Sequence, residues 1–362
     1  MLNKFKTINL NIIITLFLFL HVLIFFYLFI NGGYFDHQIP VEAREYASTS
    51  SILSYLNEIN PFAVENFPLS INAYSALHPF IISKILEFFD IQDFKRIVIV
   101  SRLISLIVLF IFLIYISIYS YKKKIELNLI LFLTIFFIIS VTLKISLGTW
   151  GNSIGLILYS LSIFKALDLN SKKNYFISSV CLILSIHFKF YFILGALFIL
   201  MRYYDKIFQK DYIYSNIFIL LFLILIFILH YNLFPSFYFV SILNQINLSG
   251  FKEFEFLNFL FSKKFFSEIF FILKNYFYLF VFFLYSTFLA LKQRKLSRKK
   301  FLIDIFFFLI FLYFLIFKLW PNVGNYGTYT NNLLIPFIIA YIINNQAQYR
   351  KFYLNIFIIV LL

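Results

Sequence analysis

The sequence predicts an all-α fold, a polytopic transmembrane helical bundle with a long outer loop that carries short amphipathic helices. Of its 362 residues, 62% are hydrophobic and 13% are charged, and the mean hydropathy is +0.90. A soluble domain carries about 25% charged residues, so this chain has too little polar surface to cover a core in water. Apolar runs of the length needed to cross a bilayer recur along it. We therefore expect residues 1–362 to form a single transmembrane domain with the lipid bilayer as its main solvent.

The charge pattern excludes a nucleic-acid-binding protein. The formal net charge is +15, but the basic residues fall in short clusters between apolar runs. Such clusters are typical of the cytoplasmic loops of membrane proteins. The single cysteine, Cys181, lies inside an apolar run and excludes both a disulfide framework and a cysteine-based metal site.

Apolar runs predict the membrane spans in order. The first, over about 10–30, follows Lys4 and Lys6; it is too long for a signal-peptide core and has no small-residue cleavage site, so we expect a retained anchor. The last begins at 352 and is still apolar at 362, which predicts a truncated carboxyl terminus. The remaining runs begin near 97, 127, 212, 269 and 301, with shorter ones at 153–167 and 331–343.

Residues 174–201 could form one long helix or a re-entrant helical hairpin that turns back at 187–189. With a hairpin, all the basic clusters share one face, which is then the cytoplasmic one. With a single span, the basic cluster at 292–300 lies outside. The positive-inside rule therefore favours the hairpin, which places Lys189 at the tip of a broken helix, where irregular backbone survives only inside protein or beside a water-filled cavity.

This topology gathers most of the unusual polar residues on the outer face, including the loop over about 31–96. Asp36 follows the first span, and a carboxylate there can accept a proton from an acceptor hydroxyl. The alternative, a solvated carboxylate or a cap for a helix near 41–57, stays open. The run at 80–89 has the spacing of a helix lying in the interface, although a loop that merely packs on the bundle has the same composition.

Several short motifs follow one another along the chain: Asp36, Asn60-Pro61-Phe62, Tyr74 to Pro79, Ser101-Arg102-Leu103, His187-Phe188-Lys189-Phe190-Tyr191, and Gly324-Asn325-Tyr326 followed by Asn331-Asn332 and Pro336. In this order they resemble the GT-C superfamily of polyprenyl-phosphate-sugar-dependent membrane glycosyltransferases, of the mannosyl- and aminoarabinosyltransferase type. The similarity covers about 10–343. The chain departs from the family where His37 follows Asp36, since many members pair two acidic residues there, and Leu77-His78-Pro79 is a looser match to the usual proline pair.

The resemblance implies an inverting sugar transfer from a polyprenyl-phosphate-linked sugar to a lipid or glycan acceptor in cell-envelope biogenesis. It implies a multi-pass protein of the bacterial inner (cell) membrane with its active site facing outward. Asp36 is the first choice for the base, and Glu42 or Glu45 takes the second acidic role, which leaves the base assignment open. Lys189 and Arg102 would hold the donor phosphate. The substrate cavity would be lined by Tyr74, His78, His187, Asn325, Tyr326 and Tyr329.

Other roles remain open for these residues. Lys189 and Arg102 are also placed to snorkel toward headgroups. His37, His78 and His187 lack the spacing of metal ligands. The sequence neither predicts nor excludes a divalent cation, and it identifies no cofactor.

The rival class is a non-catalytic transporter, flippase or polysaccharide-polymerase-like protein. Transporters carry charged residues near the midplane of the bilayer and often contain a duplicated half. In this sequence the charged residues lie at the outer boundary of the predicted bundle, and no duplication is evident. These features favour an enzyme, and an inactive membrane subunit is the third alternative.

Overall fold

The computed structural model describes residues 20, 43–61, 76–122, 152–167, 171–234, 336–337 and 340. This part of the chain is helical and contains no strand, which confirms the all-α prediction for it. Apart from residues 20, 336–337 and 340, the predicted spans over about 10–30 and 331–343 lie outside it, and so do those near 127, 269, 301 and 352. The helices are α1 (Ala43–Leu56), α2 (Leu77–Phe88), α3 (Phe94–Lys122), α4 (Asn152–Leu167), α5 (Lys172–Phe188), α6 (Leu194–Ile207) and α7 (Lys210–Leu233).

Two of these helices, α3 and α7, are candidates for crossing a membrane by their length and composition. With 29 and 24 residues they extend about 43 and 36 Å, more than the roughly 30 Å of a hydrocarbon core. Phe218 and Leu221 of α7 are 63% and 56% exposed. The predicted spans that begin near 97 and 212 are thus long apolar helices in the structure.

Helices α4, α5 and α6 form an antiparallel group. The start of α4 lies against the end of α5. The two backbones are so close there that a Cβ added to Gly155 would lie 2.9 Å from the Cβ atom of Phe188. The start of α5 meets the end of α6, where the rings of Tyr175 and Tyr203 have their centroids 4.9 Å apart. The chain therefore reverses direction between α5 and α6.

Helix α7 runs parallel to α5. At one end of the pair, the rings of Tyr175 and Tyr212 lie 5.5 Å apart, and at the other end the rings of His187 and His230 lie 4.9 Å apart. We call these the tyrosine end (Tyr175, Tyr203, Tyr212) and the histidine end (His187, His230) of the bundle.

Hydrogen bonds fix the tyrosine end. The Tyr175 hydroxyl donates to Oδ1 of Asn216 at 2.8 Å, and Nδ2 of Asn216 donates to the Ile207 carbonyl at 2.7 Å. Ser171 caps α5 by accepting from the Asn174 amide at 3.1 Å. Helices α5, α6 and α7 are thus joined by polar contacts at the end where α6 passes into α7.

The end of α3 lies at the tyrosine end as well. Its Tyr119 ring lies 5.5 Å from that of Phe164 in α4, and Phe164 comes one turn before the end of that helix. The neighbouring Ser162 approaches Ser178 of α5, with 3.5 Å between the hydroxyl oxygens. Because α3 ends there, its first residues lie toward the opposite end.

Helices α1 and α2 form a hairpin that leads into α3. Ile52, Ile82, Leu86 and Ile97 make one buried apolar cluster from these three helices. The turn between α2 and α3 contains Asp90 with a left-handed φ of 51°. A helix is present over 77–88, where the spacing of residues 80–89 predicted one, and its buried face packs on α1 and α3.

Candidate functional site

The helix break at Lys189 is the centre of the candidate site. Lys189 is extended, with φ −153° and ψ 115°, and its amide donates to the Ser185 carbonyl at 2.9 Å. A single 3-10 turn over Phe190–Ile193 follows, and then α6 begins. Only 5% of Lys189 is exposed. The chain reversal therefore holds a cationic residue inside the protein at the histidine end.

Close packing by α4 shapes this break. A Cβ on Gly155 would lie 2.9 Å from the Phe188 Cβ and 2.9 Å from the Phe192 ring. The Phe192 ring stacks on Tyr159, with centroids 4.9 Å apart. Neither Gly nor Pro stands at the break itself. We attribute the end of α5 to this packing rather than to a helix-breaking residue, since aromatic residues on both sides of Lys189 fit against α4.

A row of ring contacts connects the break to the outer helices. From His187 the row passes to His230 at 4.9 Å, on to Phe234 at 4.7 Å and from there to Phe80 of α2 at 5.3 Å. Tyr55 of α1 is the last ring of the row, with its centroid 5.5 Å from that of Phe80. The α1–α2 hairpin therefore packs against the end of α7, and His230 connects it to the last turn of α5, which precedes Lys189.

Burial gives this row an apolar character. Phe234 and Ala76 are fully buried and pack together with Tyr55, Leu77 and Phe80. Burial raises the pKa of the Tyr55 phenol far above its ordinary value. The Tyr55 hydroxyl therefore stays protonated at any physiological pH, and the contact between the hairpin and the bundle does not depend on its ionisation.

Arg102 is the second predicted phosphate-binding residue, and it is fully buried in α3. The adjacent Ser101 is buried too and donates its hydroxyl to the Ile97 carbonyl at 2.7 Å. Ile97 belongs to the apolar cluster of the α1–α2 hairpin, so Arg102 lies a little over one helical turn from that cluster. Burying a guanidinium group costs free energy unless anions or hydrogen-bond acceptors surround it.

His78 is also buried, on the face of α2 that carries Pro79, Ile82, Ser83 and Leu86. It follows Leu77, which packs near Phe234. The structure therefore places His78 and His187 on elements that meet at the histidine end. Their shared role in lining a substrate cavity stays a prediction.

The other predicted site residues, or their side chains, lie outside the described part of the structure. Glu45 falls within α1, but its side chain lies outside the described part of the structure. The proposed base and the remaining cavity residues also lie outside the described residues: Asp36, Glu42, Tyr74, Asn325, Tyr326 and Tyr329.

Within the described ranges, no group of three or more His, Cys, Asp and Glu side chains could hold a metal ion. The two histidines in contact, His187 and His230, continue into the ring contact of His230 with Phe234, and Lys189 follows His187 by two residues in the chain.

Sequence reasoning missed His230 and Phe234. His230 is one of three buried residues of α7, with Tyr212 and Ser215, in a helix whose other side chains are largely exposed. An ionisable residue within an otherwise apolar span is a signal that could have found it. Phe234 carries no such signal, because 55 phenylalanines stand in the chain.

No protein-family model matches this chain, and neither a curated protein nor a solved structure matches it. The resemblance to the GT-C superfamily therefore depends on the order of its short motifs and on the residues that form them. The charges and contacts of the chain itself are the remaining basis for assigning a function.

Proposed function

We propose that the chain is an inverting membrane glycosyltransferase of GT-C type. It moves a monosaccharide from a polyprenyl-phosphate donor to a cell-envelope acceptor on the outer face of the membrane. The observation that carries the proposal is the buried Lys189 at the chain reversal, at the end of the bundle where the α1–α2 hairpin packs.

Lys189 suits a lipid-linked phosphate because of its position at a helix end. A polyprenyl chain lies in the hydrocarbon, so its phosphate reaches the protein near the boundary of the bilayer. Lys189 follows α5 directly, and the neighbouring α7 exposes apolar side chains along most of its length. A cation there offsets the charge of the donor and the charge that develops on the leaving phosphate. In the proposal, Arg102 supplies the second positive charge.

The proposed reaction is a single displacement at the anomeric carbon. The Asp36 carboxylate takes the proton of the acceptor hydroxyl, and the hydroxyl oxygen forms a bond to the anomeric carbon from the side opposite the phosphate. The bond between that carbon and the phosphate oxygen breaks, and polyprenyl phosphate leaves with its electron pair. Glu42 or Glu45 orients the sugar or the acceptor, and Tyr74, His78, His187, Asn325, Tyr326 and Tyr329 line the cavity.

The proposed setting is the bacterial inner membrane, crossed several times, with the histidine end outside. Basic residues at the tyrosine end, such as Lys172 and Lys173, support that orientation by the positive-inside rule. The donor is then met on the outer face, where the acceptor is presented.

One observation also favours a transporter or flippase. The helix interrupted at Lys189 has the form of the discontinuous helices that line transport sites. Such a protein would bind the lipid-linked sugar with Lys189 and release it unchanged. The two functions differ in whether polyprenyl phosphate is formed.

The test is incubation of the purified full chain with radiolabelled polyprenyl-phosphate sugars and native membrane lipids, followed by measurement of released polyprenyl phosphate. We expect release with one donor, loss of release in Asp36→Asn, and at least a tenfold rise in donor KM for Lys189→Met, since a charge-assisted phosphate contact contributes about 1.5–3 kcal/mol. Lys165→Met, at the tyrosine end, is the matched control and should leave the KM unchanged.

Full release by Asp36→Asn would contradict the catalytic proposal. Binding of a donor without any release, with binding lost in Lys189→Met, would favour the transporter.

A further inference from the structure

Basic residues gather at the tyrosine end of the bundle. Within the described part of α3 to α7, seven basic residues and two acidic ones, Asp205 and Asp211, lie in the turns of helix that form this end. They come from five different helix ends that the fold brings together. Lys122, Lys172, Lys173 and Lys210 are exposed, and Lys165, Arg202 and Lys206 are half-buried.

Contacts at this end show that the basic residues share one level of the bundle. Nζ of Lys165 lies 5.6 Å from the centre of the Tyr119 ring, which joins the ends of α4 and α3. The Tyr175, Tyr203 and Tyr212 rings join the start of α5, the end of α6 and the start of α7. The exposed lysines therefore form a belt around the bundle rather than a series of unrelated sites.

Exposed aromatic side chains lie within the same belt. Phe208, in the turn between α6 and α7, is 89% exposed, and Tyr121 and Tyr214 are 79% and 67% exposed. Rings placed beside lysines at the end of apolar helices are typical of the zone where lipid headgroups meet the acyl chains.

The opposite end has no such excess among its described residues. Over residues 77–96, three basic residues are balanced by three acidic ones, and Lys189 and Glu58 add one of each sign. Lys84 and Glu87 form an exposed ion pair with 2.6 Å between Nζ and Oε2. The charge asymmetry of the described helices is therefore directed along the bundle axis.

We infer that this belt of lysines and aromatic rings binds the headgroups of anionic phospholipids. The lysine ammonium groups meet the lipid phosphates, while Phe208, Tyr121 and Tyr214 lie among the glycerol and upper acyl groups. Zwitterionic lipids offer the same apolar contact without the net negative charge. This lipid binding takes place at the end opposite Lys189 and does not depend on any sugar transfer.

The test is titration of the purified full chain, in neutral detergent, with short-chain phosphatidylglycerol and separately with phosphatidylcholine, with the bound lipid counted by native mass spectrometry. We expect tighter binding of phosphatidylglycerol, and we expect the preference to fall as salt is raised toward 1 M, where charges are screened within about 3 Å. A lysine near an anionic surface contributes about fivefold in affinity, so K172Q/K173Q should weaken phosphatidylglycerol binding by about 30-fold.

Lys95 and Arg96 provide a matched control. They form an exposed basic pair at the start of α3, just as Lys172 and Lys173 form one at the start of α5. K95Q/R96Q should keep the affinity of the unaltered chain for phosphatidylglycerol. Equal affinity for the two lipids at low salt would overturn the inference, and so would an equal loss in both double variants. The lipid comparison and the salt titration on the unaltered chain decide the matter even if a variant fails to fold.

Discussion

The imidazole rings of His187 and His230 lie with their centroids 4.9 Å apart and join the last turn of α5 to the last turn of α7. Two residues after His187 the chain leaves the helix at Lys189, and four residues after His230 the Phe234 ring meets α1 and α2. This one contact therefore relates the buried cation to the α1–α2 hairpin. Anything that separates α5 from α7 at this end should disturb both.

Phe234→Ala should release the α1–α2 hairpin from the bundle. The Phe234 side chain is fully buried and makes edge contacts with Phe80 at 5.3 Å and Tyr55 at 6.1 Å. Truncating a buried Phe lowers the free energy of unfolding by about 3–5 kcal/mol. We expect a lower midpoint of thermal unfolding in detergent and faster proteolysis of the hairpin. Phe88→Ala, at a ring that is 83% exposed, is the control and should change neither quantity.

Gly155→Ala should disturb the helix break more than Gly195→Ala does. At Gly155 the new methyl group would meet the Phe188 Cβ at 2.9 Å, an atom fixed to the backbone just before Lys189. At Gly195 it would meet the flexible end of Leu182 at 2.7 Å, which can rotate away, and would touch the edge of the Tyr159 ring at 3.0 Å, where a shift of a few tenths of an ångström relieves the contact. Overpacking costs about 1–3 kcal/mol, and we place Gly155→Ala at the upper end of that range.

The measurement for this pair is thermal unfolding together with donor KM. Gly155→Ala should raise the KM, because moving Phe188 moves Lys189, whereas Gly195→Ala should affect unfolding alone. A greater effect of Gly195→Ala on both quantities would contradict the assigned role of α4.

A thiol reagent should reach cysteines placed at the two ends of the bundle from opposite sides of the membrane. Gln92 lies in the turn before α3 and Gln209 in the turn before α7, and both are exposed. In a Cys181→Ser background, which removes the single cysteine, a membrane-impermeant maleimide should label Gln92→Cys in intact cells and Gln209→Cys only after permeabilisation. Labelling of both positions in intact cells would refute the topology on which the proposed function depends.

Periodicity and apolar length predicted the described helices well. The helix expected near 41–57 is present over 43–56, and the one expected at 80–89 is present over 77–88. The long apolar helices expected from near 97 and 212 are present as well. These features follow from local pattern, because an apolar stripe or an uninterrupted apolar run specifies a helix in lipid regardless of its neighbours.

The candidate site was predictable only in part. Lys189 could be singled out because a cation inside an apolar segment is costly and therefore informative. The contact of His187 with His230 could not be predicted, because it joins residues 43 positions apart and no repeated sequence pattern relates them. The fit of Phe188 against Gly155 is equally invisible in sequence, because glycine also occurs in helices where no side chain packs closely against it.

By itself, the sequence determined that the described chain is helical, which of its segments can cross a bilayer, and that a cation interrupts the segment at 174–201. These are consequences of how much apolar surface each segment must keep from water, a quantity that adds residue by residue. Only the tertiary structure decided that α5, α6 and α7 gather their tyrosines at one end and their histidines at the other. Contacts between helices depend on close packing of particular side chains, such as Phe188 on Gly155 and Phe234 between Tyr55 and Phe80, and that packing is set by shape rather than by composition.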